Sequence, residues 1–141
     1  MEKHYYHLNV NNFNQVISSV TSTRLTNFYG PTEATIDVSF YDCPDNCEVT
    51  SVPIGKPIQN TRLYILVDGK LAPIGQVGEL CIAGDCLAAG YLNNPSLTEK
   101  YFYTDIMNHG EKMYRSGDLA YLQEDGNIQY CGRCDNQVKI H

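Results

Sequence analysis

Short runs of β-branched and aromatic residues, one of them alternating apolar with polar or small side chains, recur between turn signals along this chain and predict strands rather than helices. Residues 61–67 are rich in β-branched and aromatic side chains, and Asp68-Gly69 directly after them is a turn signal leading into residues 70–73. A hairpin is expected there. Residues 77–82 alternate apolar with polar or small side chains between Gly75 and Gly84, which marks another strand. Residues 118–122, the turn Glu124-Asp125-Gly126 and residues 127–131 repeat the strand, turn, strand pattern. Helix signals are scarce. The clearest covers residues 95–102, where Asn94 suits the cap and Pro95 the first helical position; over residues 13–20, β-branched side chains leave helix and strand balanced. The expected fold class is therefore mainly β with minor α, an antiparallel sheet or distorted barrel.

Length and charge narrow the function classes. The 141 residues suffice for one core and bury roughly two thirds of the unfolded surface. With 16 acidic against 10 basic residues and a net charge of -6, there is no basic stripe to neutralise a nucleic-acid backbone. The longest aliphatic and aromatic run, residues 63–67, falls far short of the roughly 20 residues a bilayer span needs. Residues 1–7 carry no apolar signal core, so the expected location is the cytoplasm, with no membrane partner. The first 12 residues read as a frayed terminus and residues 43–51 as an exposed loop; there is no internal repeat. Six cysteines form three close pairs, Cys43 with Cys47, Cys81 with Cys86 and Cys131 with Cys134, a spacing that suits a split zinc site or a redox pair. The Cys131-Gly132-Arg133-Cys134 segment, however, lies among strand and turn signals and does not open a helix, so reduced thiols are the expectation.

Three separated motifs carry candidate chemistry: Asn27-Phe28-Tyr29-Gly30-Pro31-Thr32-Glu33, then Tyr114-Arg115-Ser116-Gly117-Asp118-Leu119, then Gly132-Arg133-Cys134-Asp135-Asn136-Gln137-Val138-Lys139-Ile140. Gly30-Pro31 enforces a change of direction that groups the ring of Tyr29 with the oxygens of Thr32 and Glu33. An aromatic face, a hydroxyl and a carboxylate suit a base, a phosphate oxygen and the Mg²⁺ that accompanies ATP. An ordinary turn is the competing reading. Asp118 follows Gly117 at the start of a strand signal, where a carboxylate can accept from the two hydroxyls of a ribose, each such bond contributing about 1.5–3 kcal/mol. A strand-end turn aspartate is the plainer alternative.

From Arg24 to His141 the chain resembles the adenylation domains of nonribosomal peptide synthetases, in the adenylate-forming superfamily of acyl-CoA synthetases and luciferases. The resemblance implies that Asn27 contacts adenine, Tyr29 stacks on it, Thr32 touches the α-phosphate and Glu33 coordinates magnesium. It assigns the ribose to Asp118, the adenosine surroundings to Tyr130 and Arg133, and the amino-acid pocket to Phe28, Ile36 and Asp37. Phe28 would shorten that pocket and Asp37 give it a polar wall, which points to a small or polar amino acid. Asp135 matches the hinge of a C-terminal lid, and Lys139 a lysine used in the lid's second conformation. The glycine-rich stretch from Gly78 through Tyr91 matches a structural motif, with Ala89 where the usual pattern has arginine.

Implied, too, are ATP or AMP and magnesium as cofactors, and as partners an amino acid, a carrier domain with phosphopantetheine and the remainder of the adenylation domain. Residues 1–23 are expected to form a flexible end with the possible helix, 24–45 a strand, loop and strand with the first motif, 46–134 a barrel-like subdomain and 135–141 the hinge. The serine-, threonine- and glycine-rich phosphate loop, the aspartate that binds the substrate amine and the lid lysine have no match here. The isolated chain is thus expected to be nearly inactive, a portion of a larger enzyme with apolar side chains of residues 16–39 left exposed. The alternatives are a non-catalytic β-domain remnant with an interaction role, and a portion of an acyl-CoA synthetase or D-alanine-activating ligase.

Overall fold

A computed structural model describes residues 25–34, 37–44 and 52–134. The first 12 residues, expected to fray, and residues 13–20 lie outside the described residues, as do Ile36, Cys47, Asp135 and Lys139 and most of the expected 43–51 loop. Among the described residues the architecture is the expected one: antiparallel strands curled into a half-barrel, with one short α-helix.

Among the described residues, nine strands divide between two sheets. β1 (Thr26–Tyr29), β2 (Ser39–Asp42) and β3 (Lys56–Pro57) form the smaller, all antiparallel. β4 (Thr61–Val67), β5 (Lys70–Leu71), β6 (Gly78–Gly84), β7 (Phe102–Thr104), β8 (Lys112–Leu122) and β9 (Ile128–Arg133) form the larger in the order β5-β4-β6-β8-β7, with β9 also on β8. The 61–73 hairpin closes through Asp68 and Gly69, both at positive φ, the pair of conformations a tight two-residue hairpin requires. The β8–β9 hairpin closes through the expected 124–126 turn, with the Gln123 amide donating to the Asn127 carbonyl at 2.8 Å.

Alternation decides what each strand buries. On β6, Leu80 and Ile82 face one side and Cys81 and Ala83 the other, and all four are buried. Leu80 joins Ile54, Ile65, Ala120 and Ile128 in one cluster, and Ile82 joins Ala34, Val38, Phe102 and Tyr114 in a neighbouring one. Cys81 and Ala83 pack on the reverse face with Tyr64, Leu66 and Met113. The expectation of exposed apolar residues in the 16–39 segment fails at Ala34 and Val38, which are fully buried on the larger sheet, while Leu25, Phe28 and Tyr29 are half-buried.

Two boundaries differ from expectation. The helix α1 spans Pro95–Tyr101, with the Leu97 amide donating to the capping Asn94 Oδ1 at 3.1 Å, but Phe102 leaves it for β7. There its ring packs 5.2 Å from that of Tyr114, so burial overrides helical continuation. β8 begins at Lys112, six residues before the expected start, because Arg115 and Gly117 interrupt the hydrophobic pattern of a continuous strand. The smaller sheet is fastened to β9 by residues 52–55. Ile54 and Gly55 amides donate to the Ile128 carbonyl, and the Pro53 and Ile54 carbonyls accept from Asn27 Nδ2 and Ser39 Oγ, each at 2.8 Å.

Candidate functional site

The site is built around an irregularity in β8. Cys81 pairs with Arg115 and Glu79 with Leu119, so β8 carries two more residues than β6 across the same interval. Such bulges re-aim side chains. Gly117 sits here at φ +73, and a Cβ on it would fall 2.7 Å from Arg133 Nη2. Ser116 pins the bulge: its hydroxyl donates to the Leu80 carbonyl at 2.5 Å and accepts from the Asp118 amide at 3.0 Å. The Gly117 amide donates to Glu79 Oε2 at 3.2 Å, and Arg115 binds the other oxygen of Glu79.

Asp118 leaves the bulge with its carboxylate gripped from two sides. The Tyr29 hydroxyl, from β1, donates to Oδ2. Arg133, from β9, reaches Oδ1 at 3.2 Å with the same Nη1 that donates to the Ser116 carbonyl at 2.6 Å. An ionised carboxylate has about four acceptor sites, so two remain for a ligand. Burial first, then the charge of Asp118, pushes the Tyr29 phenol above the ordinary tyrosine range, which keeps it a donor. Tyr130, from β9, lies beside Tyr29 with ring centroids 6.4 Å apart.

A second cluster forms around Glu33. After Pro31, a 3-10 turn over Thr32–Ala34 exposes Thr32 and half-buries Glu33. Glu33 Oε1 accepts from the Tyr91 hydroxyl at 2.9 Å. Burial first, then hydrogen bonding with Tyr91 and the charge of Glu33, raises the Tyr114 phenol, which lies against the same pair.

Of the residues expected from sequence, Tyr29, Asp118, Tyr130 and Arg133 come together. Glu33 and Thr32 stand on the turn that follows. Asn27 is buried and gives a donor to Pro53, tying down the 52–55 segment. Phe28 and Asp37 are half-buried, and Phe28 lies on the face of β1 opposite to Asn27 and Tyr29. Tyr91, Tyr114 and Ser116 were not expected to act. Ser116 has a signal in hindsight, a hydroxyl two residues before an aspartate in a strand that is otherwise apolar on that face, whereas nothing in the spacing of Tyr91 points to Glu33.

No group of three or more His, Cys, Asp or Glu side chains able to hold a metal by itself occurs among the described residues. The Glu33 carboxylate fits magnesium of the kind held by one or two carboxylates plus substrate phosphates: it is a hard oxygen donor, half-exposed and fixed by a neutral hydroxyl. No helix among the described residues is long and apolar enough to cross a membrane.

Residues 10–92 match the family described as AMP-binding enzyme. The chain is 55% identical over 131 residues to a mycosubtilin synthase component of Bacillus subtilis, covering 93% of this chain and 5% of that protein. It is 53% identical over 119 residues to tyrocidine synthase 1 of Brevibacillus parabrevis, 83% of this chain and 11% of that one. To zwittermicin A synthase ZmaJ of Bacillus cereus the identity is 47% over 135 residues, 94% of this chain and 25% of the relative. The chain belongs to the AMP-binding enzyme family, and its likeness to the adenylation domains of nonribosomal peptide synthetases holds over most of its length. It spans a quarter or less of each of these three relatives.

Proposed function

We propose that this chain carries the adenosine-facing and magnesium-facing part of an amino-acid-activating site. In the complete enzyme, an amino-acid carboxylate attacks the α-phosphorus of ATP, pyrophosphate leaves, and aminoacyl-AMP forms; the acyl group then passes to a phosphopantetheine thiol on a carrier domain. The observation that carries the reading is the Asp118 carboxylate, fixed between Tyr29 and Arg133 with acceptor sites left over and two aromatic rings beside it.

Each residue then has a task. Asp118 accepts from the ribose hydroxyls, and Arg133 holds its carboxylate in place. Tyr29 and Tyr130 offer aromatic surface to the adenine, with Asn27 at its edge. Thr32 donates to the α-phosphate. Glu33 holds magnesium, which when bound offsets phosphate charge. Phe28, Ile36 and Asp37 line the pocket for a small or polar amino acid, Asp135 is the hinge, and Lys139 serves the thioester-forming conformation.

Thermal unfolding followed by circular dichroism, with and without AMP and Mg²⁺, tests the reading. At ten times the dissociation constant, AMP should stabilise the chain by about 1.4 kcal/mol, raising Tm by about 5 °C. Asp118→Asn, which keeps the shape but weakens the acceptor, should lose most of that shift, and Asp118→Ala all of it. A cooperative melt in the parent chain that nucleotide does not move would refute the reading and favour a non-catalytic β-domain.

A further inference from the structure

We propose that Tyr91 is a positioning residue that aims the Glu33 carboxylate, and that the glycine turn and helix α1 are the frame that holds Tyr91; the inference rests on Glu33 being the metal-holding side chain. The Tyr91 hydroxyl and Glu33 Oε1 are 2.9 Å apart across 58 positions of sequence. Everything around Tyr91 fixes that hydroxyl. Its ring meets Tyr101 edge-on at 6.2 Å and Phe102 at 5.8 Å. Its amide donates to Thr98 Oγ1 at 2.8 Å, and the same hydroxyl donates to the Asn94 carbonyl at 3.0 Å. The preceding Gly90 stands at φ +140, where a Cβ would lie 2.6 Å from Thr98 Cγ2, so only glycine lets the turn close this tightly on α1.

The frame also holds the backbone of its target. The Ala88 amide donates to the Glu33 carbonyl at 2.9 Å, so main chain and side chain of Glu33 are tied to one turn. A free glutamate loses rotamer entropy when a ligand fixes it. A glutamate already fixed does not. Preorganisation of a metal-holding carboxylate by a neutral donor is how supporting residues raise affinity without touching the ion. This gives α1, which buries no residue of its own, a reason to be where it is.

The test is a titration of the isotopically labelled chain with ATP and Mn²⁺ in place of Mg²⁺, reading paramagnetic broadening of the Glu33 side-chain carboxyl resonance. In the parent chain that resonance should broaden with saturation. Tyr91→Phe keeps the ring and removes the hydroxyl; it should hold Tm within about 2 °C yet need about 3- to 10-fold more Mn²⁺ and ATP for the same broadening. Its affinity for ATP with chelator present should not change. In a Glu33→Gln background, where metal-dependent affinity is lost, adding Tyr91→Phe should do nothing further. A Tyr91→Phe titration that superimposes on the parent overturns the proposal, as does a weakening that appears only together with a large fall in Tm, which would make Tyr91 structural. Absence of broadening at Glu33 in the parent is a different failure: it refutes the role given to Glu33 and removes the proposal with it.

Discussion

Removing one hydroxyl, in Ser116→Ala, should loosen both the fold and the site. Ser116 is 4% exposed, and its Oγ stands between the Leu80 carbonyl and the Asp118 amide at 2.5 and 3.0 Å. Alanine cannot replace either bond. The Asp118 amide is left buried without its acceptor, which costs about 1–3 kcal/mol, and the lost bond to Leu80 adds about 0.5–1.5 kcal/mol. The sum is about 1.5–4.5 kcal/mol. With an m-value of about 2 kcal/mol/M, the urea midpoint should fall by about 1–2 M, measured by tyrosine fluorescence and circular dichroism together. Ser116→Thr keeps the hydroxyl, so its midpoint should stay close to that of the parent. Because the bulge aims Asp118, AMP affinity should fall in the alanine variant and persist in the threonine one. A midpoint for Ser116→Ala within about 0.3 M of the parent, or equal losses in both variants, would refute the view that this hydroxyl pins the bulge.

Acid stability should depend on Asp105, which is fully buried. Burial pushes its carboxyl up, but bonds from Arg62, the Met107 amide, Tyr64 and the Asn108 amide outweigh that and hold it below the ordinary aspartate value. Its folded value is depressed, so its stabilisation is present above about pH 4, the unfolded value, and is lost as pH falls through the folded one. Asp105→Asn should lower Tm at pH 7 and flatten its fall below pH 4; a parallel acid arm in both proteins would exclude Asp105 as the cause. Thiol chemistry offers an independent check: burial, the larger cause in both, pushes Cys43 up to about 11 and Cys81 up to about 12. At pH 8 iodoacetamide should leave both unmodified in the folded chain and react with them in urea, as read by peptide mass mapping; alkylation of Cys81 in the native state would contradict its burial on β6.

How far the sequence reveals this molecule depends on the range of the forces involved. The hairpins at 61–73 and 118–131 are legible because strand-forming runs and the Asp-Gly dipeptide between them act between near neighbours. The Asn94 cap and Pro95 are local in the same sense. Phe102 reads as helical from sequence because its partner, Tyr114, is supplied by another strand. The start of β8 is hidden because a two-residue bulge interrupts its alternation, and that same bulge is what presents Asp118. Candidate residues stand out where a motif gathers them, as in Tyr29 to Glu33 and at Asp118, whereas the hold of Ser116 on the Leu80 carbonyl depends on a strand pairing that the motif does not carry. Tyr91 reads as structural because its link to Glu33 depends on how a turn 58 residues away is folded, which no local pattern carries.

Asn27 shows why such a site cannot be divided cleanly into residues that bind and residues that fold. Its amide donates to the Pro53 carbonyl, while Ser39 holds the next carbonyl and Gln129 lies 3.5 Å from that of Val52. Three side chains from β1, β2 and β9 thus grip three successive carbonyls of one segment. That segment is the physical link between the smaller sheet and β9, because Ile54 and Gly55 also exchange backbone bonds with Ile128. Tyr29 rides on β1, and Tyr130 and Arg133 on β9, so the distance between the two halves of the Asp118 cluster is set by this link. An amide has two donor hydrogens and an acceptor oxygen, and the Pro53 bond uses one donor. The rest of the group is the part that the proposed adenine contact can use. A buried polar side chain at such a joint therefore holds the fold with one atom and leaves others for the proposed contact, and losing it would disturb the spacing of the Asp118 cluster even if it never touched a base.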